Sequence, residues 1–315
     1  MIFKGITMNY QRNLFNNLPI EYSVPKRFKY IFVSDFFSSE VLGGAELTSE
    51  ALIKTIQAPV FKMHSLSLTK DLVNKNLDKI WIFGNYTQVP AGILDLFSDN
   101  KIEYYIVEYD FKFCKYRAMR AHLMATGKQC DCVEQEHGKE IEKFCLGAKK
   151  MFWMSERQKN IFLEKLPSLK DKTHVVQLSA FSDETLQLLN TLRNTPNLNK
   201  KKITAILSGG SWIKGIKETI VELNMKGVPF EQIPQMEYSK FLETLSNYDT
   251  FTFYPADFDT CPRVVIEAAL LGCKLNLNDN VLIKNDLWLV DNLPEELELF
   301  LKRTRDSFYS HLISL

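Results

Sequence analysis

The sequence predicts an α/β protein made of two Rossmann-like units, and three observations carry that prediction. Short apolar runs rich in Ile, Val, Phe and Tyr alternate with longer amphipathic stretches, the pattern of parallel β-α-β units. The alternation breaks at a polar, proline-containing connection, TPNLNKKK (residues 195–202), and then resumes. The chain has 315 residues, which at roughly 100–200 residues per domain corresponds to two units, each able to bury its own core.

In the first half, strands are expected at Tyr30–Ser34 (YIFVS), Val60–His64, Lys79–Phe83 (KIWIF), Tyr104–Val107, Met151–Met154 and His174–Leu178. Their nearly unbroken apolar character suits strands covered on both faces. Helices are expected at Gly44–Ile56, where Leu47, Ala51, Leu52 and Ile56 share one face, at Pro90–Phe97 and at Glu156–Leu166. A proline at the first helical position is well tolerated. The second half offers strands at Ile203–Leu207, Phe230–Ile233, Thr250–Tyr254 and Leu275–Leu277. Its helices fall at Ile216–Met225, Tyr238–Leu245 and Val264–Leu271, with one long final helix at Pro294–Leu312. The expected division is a first domain at 1–181, a linker at 182–202 that opens with a helix at Asp183–Arg193, a second domain at 203–293 and the final helix at 294–315. Open α/β sheets bind ligands beyond the carboxyl ends of their strands, so the working site is expected in a cleft between the two units.

Composition narrows the partners. With 39 Lys+Arg against 38 Asp+Glu, the net charge of +1 supplies no overall field toward nucleic acid or an anionic membrane. Lys4, Gln11 and Arg12 interrupt any signal-peptide core near the amino terminus, and no stretch approaches the ~18 apolar residues of a membrane span. A cytoplasmic protein without a membrane span is the expectation, and its six cysteines then stay thiols or bind metal.

Three motifs carry chemistry. Leu42-Gly43-Gly44-Ala45-Glu46 lies between the first strand and a helix, where backbone can approach an anion such as a diphosphate. A tight turn would need the same glycines. Ser208-Gly209-Gly210-Ser211-Trp212-Ile213-Lys214-Gly215 stands in the equivalent place in the second half. Gly210 and Gly215 have the P-loop spacing, but Ile216 stands where its Lys belongs, which disfavours a nucleotide triphosphatase. What remains is a glycine loop with one Lys. The third motif runs from Asp259 through Thr260 and Arg263 to Glu267, across the amino terminus of a helix. A carboxylate in so apolar a helix as VVIEAALLG is either on the solvent face or bound to a partner.

In this order, the glycine loop, the Lys214-Gly215 element and the Asp259-to-Glu267 element with its Glu267-Ala268 and later Gly272 resemble the retaining GT-B glycosyltransferases, family-four branch. The resemblance covers most of the chain, including MSERQKNIF (154–162). It implies a GT-B fold, two Rossmann-like domains facing across a cleft with the carboxyl-terminal helix crossing back to the first domain. It also implies transfer of a sugar from a nucleotide diphosphate sugar, UDP-linked as first choice, with retained configuration and without a catalytic metal. In that scheme Glu267 binds the ribose, and Asp259 with nearby N–H groups holds the sugar hydroxyls. Lys214 and the loops at Gly43, Gly44, Ser208, Gly209 and Gly210 stabilise the departing diphosphate, a task suited to preorganised donors. Thr260 and Arg263 complete the donor set, and Asp110 is the first-domain catalytic candidate. Two departures stand out: no Arg precedes Lys214-Gly215, and Tyr109 occupies the place of a first-domain His common in the family.

Residues 110–147 leave the alternating pattern and hold Cys114, Cys130, Cys132 and Cys145 with His122 and His137. Cys114, His122, Cys130 and Cys132 could form a closed tetrahedral zinc site that orders the loop; unconnected thiols are the competing reading. The segment also separates its charges: Lys112, Lys115, Arg117 and Arg120 precede the acidic Asp131, Glu134, Glu136, Glu140 and Glu142. A basic loop at the cleft would suit a phosphodiester acceptor, whereas mutual pairing of the two halves is the plainer account. Chains with such an insertion and D-T-C-P-R resemble a branch common in large bacteriophages. That implies double-stranded DNA carrying hydroxymethylated pyrimidines as acceptor in the host cytoplasm; a cell-envelope glycan or lipid is the alternative, and a non-catalytic nucleic-acid-binding protein on the same scaffold is the second.

Overall fold

The computed structural model describes residues 24–100, 102–195, 200–209 and 211–314. The amino-terminal stretch, residues 196–199 of the expected connection and Gly210 of the second glycine loop lie outside the described residues. The first sheet contains β1 (Tyr30–Ser34), β2 (Val60–His64), β3 (Ile80–Phe83), β4 (Tyr104–Glu108), β5 (Met151–Trp153) and β6 (His174–Val176). Its order is β2-β1-β3-β4-β5-β6, with parallel pairing at each step. The second contains β7 (Lys201–Leu207), β8 (Phe230–Ile233), β9 (Tyr248–Phe253) and β10 (Lys274–Leu277), parallel in the order β10-β9-β7-β8.

Residue alternation explains why the first sheet is covered on both sides. Tyr30 and Phe32 of β1 pack into one apolar cluster, while Ile31 and Val33 point to another containing Trp81, Phe83 and Phe97. Successive strand side chains take opposite faces, so a strand apolar at every position needs two covers. Helices α1 (Gly44–Thr55) and α12 (Pro294–Ile313) lie with the first cluster, to which α1 gives Ala51 and Leu52 and α12 gives Leu301 and Phe308. The final helix does cross back. Tyr105 Oη donates to Leu312 O at 2.9 Å, Lys150 Nζ to His311 O at 2.8 Å, and Gln177 Nε2 to Thr304 O at 2.8 Å.

In both sheets the chain reverses direction of travel beside its first strand: β2 and β3 flank β1, and β8 and β9 flank β7. Crevices at such switch points are where α/β sheets take ligands. The two glycine loops, after β1 and β7, stand there.

Two expectations change. The helix expected at Pro90–Phe97 is α3 (Leu94–Asp99); Gly92 adopts φ +71 and Pro90 instead closes a turn through its carbonyl, 3.2 Å from Ile93 N. Nor is 110–147 wholly an insertion. Its second part forms α5 (Glu136–Gly147), which joins β4 to β5 and buries Ile141, Phe144 and Cys145. Phe144 stacks on Tyr104 with centroids 4.8 Å apart. The charge-rich sequence EHGKEIEKFCLG hid that narrow apolar stripe. The added part is 110–135, containing α4 (Met119–Thr126). Two short helices, α2 (Lys70–Asn74) and α11 (Leu287–Val290), have no counterpart in the periodicity.

Candidate functional site between the two sheets

The loop after β7 ends in a turn that only glycine fits. Gly215 has φ +63, and a Cβ there would collide with Tyr254 O and stand 2.9 Å from Ala256 N. Ala256 N in turn donates to Ile213 O at 2.8 Å, so the Lys214-Gly215 loop and the loop after β9 form one packed unit. That packing brings Lys214 Nζ to 2.8 Å from Asp259 Oδ2, while the ammonium also lies 5.5 Å from the Phe253 ring centroid. Asp259 is held by its backbone, its N donating to Asn280 O at 2.9 Å and its O accepting from Leu282 N at 3.0 Å. Ser208 is tied through its backbone N to Ile233 O at 3.1 Å, and Gly209 has φ +137.

Arg263, Glu267 and Tyr238 form the next layer. Arg263 opens α10 (Arg263–Leu270), a helix with no side-chain cap. Its guanidinium stacks 3.9 Å from the Phe181 ring centroid, donates to Ala180 O, and reaches Tyr238 Oη at 3.2 Å. Glu267 is 3% exposed; it accepts from Tyr238 Oη at 2.6 Å and lies 3.5 Å from Arg263 Nε. Burial pushes its carboxyl above the usual range against the pull of Arg263, and burial also raises the Tyr238 phenol. The solvent-face alternative for Glu267 is therefore wrong. For ribose to meet Glu267, Tyr238 of α9 (Tyr238–Leu245) has to yield. Thr260 does not face a donor: its hydroxyl donates to Tyr109 O of the first unit at 2.7 Å.

On the first-sheet side, carboxylates gather at the strand ends. Asp35 after β1 accepts from Ser65 Oγ at 2.5 Å, Thr87 N at 3.1 Å and Gln88 N at 3.1 Å. Glu46 is buried against Gly43, and burial raises its carboxyl although Asn85 and Arg117 oppose the shift. An acid thus rests on the glycine loop where the resemblance implied a diphosphate. Across the cleft, a Cβ on Gly44 would stand 3.6 Å from Arg263 Cδ. Tyr109, in the place of the family His, is buried with its hydroxyl 2.6 Å from Ser49 Oγ.

The basic residues expected to greet an acceptor are largely engaged. Lys112 is 2% exposed, with Nζ 2.8 Å from Glu108 and 3.2 Å from Asp110. Arg117 Nε donates to Asp110 Oδ2 at 2.6 Å and its other arm reaches Asn85 at 3.3 Å. Arg120 donates to Ala256 O at 2.6 Å. Lys115 is exposed and lines a groove with Gly92, Asp95 and Glu136, between α3 and α5. The expectation of an open basic loop is corrected: Glu108, Asp110 and the loop after β9 compete successfully for those charges. Asp110 itself is pushed up by burial but held below the usual range by Lys112 and Arg117, so it is an ion-paired carboxylate rather than a free base. Beneath it, burial pushes the Glu108 carboxyl up to about 7 despite Lys112.

Cys114, His122, Cys130 and Cys132 converge, with their ligand atoms all within 4.8 Å of one another. His122 Nδ1 lies 3.3 Å from Cys132 Sγ and 3.7 Å from Cys114 Sγ. Burial pushes the Cys114 thiol up to about 12 and raises Cys130 as well. His137 and Cys145 take other tasks: His137 Nε2 meets Lys112 O at 2.9 Å, and Cys145 is buried in the core under α5. Three thiols and one imidazole in a cluster of this size match the donors of a closed tetrahedral metal site.

Sequence reasoning missed Tyr238, Asp35, Glu46 and Asp257. Only Glu46 carried a local signal, through its position in GGAE.

No protein-family model matches the chain, and no curated protein matches it. Solved structures do. A structure of OtsA, trehalose-6-phosphate synthase, superposes with TM-score 0.55 at 10% identity over 90% of this chain and 94% of that one. Anabaena HepE in complex with UDP and glucose gives TM-score 0.50 at 10% identity over 90% and 98%. The chain has the GT-B fold. Within it, the Lys214–Asp259 pair and the Arg263–Glu267 layer come from the second unit, and the Asp35, Glu46 and Asp110 carboxylates from the first.

Proposed function

We propose that this protein is a retaining glycosyltransferase that moves a sugar from a UDP-sugar to a hydroxyl acceptor. The observation that carries the reading is the Gly215 turn holding Lys214 at 2.8 Å from Asp259 beside the uncapped first turn of α10, at the switch point of a GT-B fold. The structures similar to this chain support it: HepE was solved with UDP and glucose, and a trehalose-6-phosphate synthase structure was studied for glycosyl transfer with retention.

The bond from the sugar's anomeric carbon to the diphosphate oxygen breaks, and charge collects on the leaving group. Lys214 and the N–H groups of the α10 amino terminus are the stabilisers within the site. Asp259 holds the ammonium until the diphosphate competes for it, then is free to accept from sugar hydroxyls. Glu267 binds the ribose once Tyr238 swings aside. The acceptor hydroxyl attacks the same face and gives its proton to the leaving phosphate oxygen, so the low-lying carboxyl of Asp110 is not asked to act as base. Removing Lys214 deletes a charge-assisted contact of about 1.5–3 kcal/mol, or roughly 10–100-fold in UDP affinity. Titration of Lys214→Ala with UDP, and assays of donor hydrolysis, test this; unchanged binding and turnover in both Lys214→Ala and Glu267→Ala would return the protein to the non-catalytic reading.

For the acceptor, the paired state of Lys112, Arg117 and Arg120 weakens a phosphodiester grip. We therefore place a glycan hydroxyl ahead of hydroxymethylated pyrimidine in DNA. Incubation with donor and either a glycan mixture or hydroxymethylcytosine DNA, followed by mass analysis, decides between them. The Cys3His cluster binds zinc as a structural ion, since four protein ligands leave no open position for chemistry. Metal analysis of the purified protein tests it, near-stoichiometric zinc being the expected outcome.

A further inference from the structure

The helix that carries His122 touches the other unit at the donor loop. Asp257, 5% exposed, accepts from Arg120 N at 2.8 Å and Ala121 N at 3.0 Å through one oxygen, while Arg120 donates to Ala256 O. Asp257 therefore caps α4 from across the cleft, two residues before Asp259 and three before Thr260. A carboxylate at a helix amino terminus satisfies N–H groups that have no partner within the helix.

What holds α4 in place is equally particular. It has eight residues, of which only His122 is buried, and its Leu123 and Met124 are exposed. A helix that short is not stable alone, and here its apolar docking is limited to Met119, half-buried against the core of the first unit. Its polar attachment to the first unit runs through His122 to Cys114 and Cys132, both rooted in the core beneath the sheet.

We propose that the metal cluster is the anchor of an inter-unit clasp: metal fixes α4, α4 fixes Asp257, and Asp257 fixes the donor loop that presents Asp259 to Lys214. The clasp rests on the reading of the cluster as a zinc site. It makes UDP affinity depend on a metal that never touches the donor, and it explains why a closed structural site stands beside the cleft. Without metal, α4 unwinds and the buried Asp257 loses both backbone donors, so the loop at 255–260 loosens while its bonds to Ile213, Asn280, Leu282 and Tyr109 remain.

Hydrogen exchange read by mass spectrometry, together with UDP titration, tests this on the full chain. Stripping zinc with a chelator is expected to speed exchange at 118–128 and at 254–262 together, and to weaken UDP about tenfold, the loss of one cap and its charge-assisted bonds. Cys130→Ser should do the same. Asp257→Ala should keep its zinc yet show the faster exchange at 254–262 and the weaker UDP binding, which guards against simple unfolding of the stripped protein. Failure to bind zinc overturns both the zinc site and the clasp. Zinc bound but exchange at 254–262 unchanged on its removal, or Asp257→Ala indistinguishable from the native chain, overturns the clasp alone.

Discussion

Replacing Gly215 by Ala separates two costs that the structure assigns to different causes. Gly215 and Gly227 have nearly the same backbone, φ +63 and φ +64, but a Cβ on Gly227 meets nothing within 4 Å, whereas one on Gly215 collides with Tyr254 O and crowds Ala256 N at 2.9 Å and Pro255 C at 3.0 Å. Left-handed backbone costs a residue with a Cβ about 1–2 kcal/mol, and both substitutions carry that term. Overpacking against backbone adds about 1–3 kcal/mol at Gly215 alone, because carbonyl and amide atoms cannot rotate aside. Gly227→Ala is thus expected to lose about 1–2 kcal/mol and Gly215→Ala about 2–5 kcal/mol. Whatever relief Gly215→Ala finds must come from displacing residues 254–256, which precede Asp257 and Asp259 directly. Its UDP affinity should therefore fall, while that of Gly227→Ala stays at the native value. Urea denaturation with paired UDP titrations reads both. If the two variants lose the same stability within about 0.5 kcal/mol, the close packing of the two loops is not what this position demands.

Three further outcomes follow from buried charge. Lys112→Met removes the cation between Glu108 and Asp110 and should cost about 3–5 kcal/mol in a denaturation experiment; adding Glu108→Gln should restore part of it, since one buried charge then disappears. Glu108 should also shape the pH dependence of stability. Its folded carboxyl, raised by burial to about 7, keeps a proton that the unfolded chain has released, so its effect is a loss of stability as pH rises from about 4.5 to 7. Denaturation midpoints across that window should slope less in Glu108→Gln, and equal slopes would refute the assignment. Tyr238→Phe leaves the buried Glu267 without its hydroxyl donor and should lose about 1–3 kcal/mol of stability. If the phenol normally screens the ribose site, the same variant should bind UDP no more weakly than the native chain.

Much of the fold was legible because the signals are local. The runs at Tyr30–Ser34, Val60–His64 and Phe230–Ile233 became strands with those bounds, and Ile216–Met225 and Tyr238–Leu245 became helices with theirs. The failures have physical causes. In α5 an apolar stripe of three buried residues is diluted by charges, so the period was lost. In α4 no period exists to find, because one buried histidine and the half-buried Met119 stand in for an apolar face. The convergence of Cys114, Cys130 and Cys132 with His122 could be proposed from the sequence, since metal-binding residue types are few and their spacing is short. The basic stretch misled: sequence shows that Lys112, Arg117 and Arg120 are near one another, but not that each is already paired.

The amino-acid sequence alone determined the two parallel α/β units and the glycine loops after their first strands, because periodicity and motif order are properties of neighbouring residues; the donor roles proposed for Lys214 and Glu267 came from the resemblance. Tertiary structure alone decided which of those groups are free. Asp257 caps a helix 137 positions away, Thr260 spends its hydroxyl on Tyr109, and Arg263 reaches Ala180 rather than open solvent. Pairing in a cleft depends on which distant side chain arrives within hydrogen-bonding reach, and only the way the loops and helices of the two units meet sets that distance.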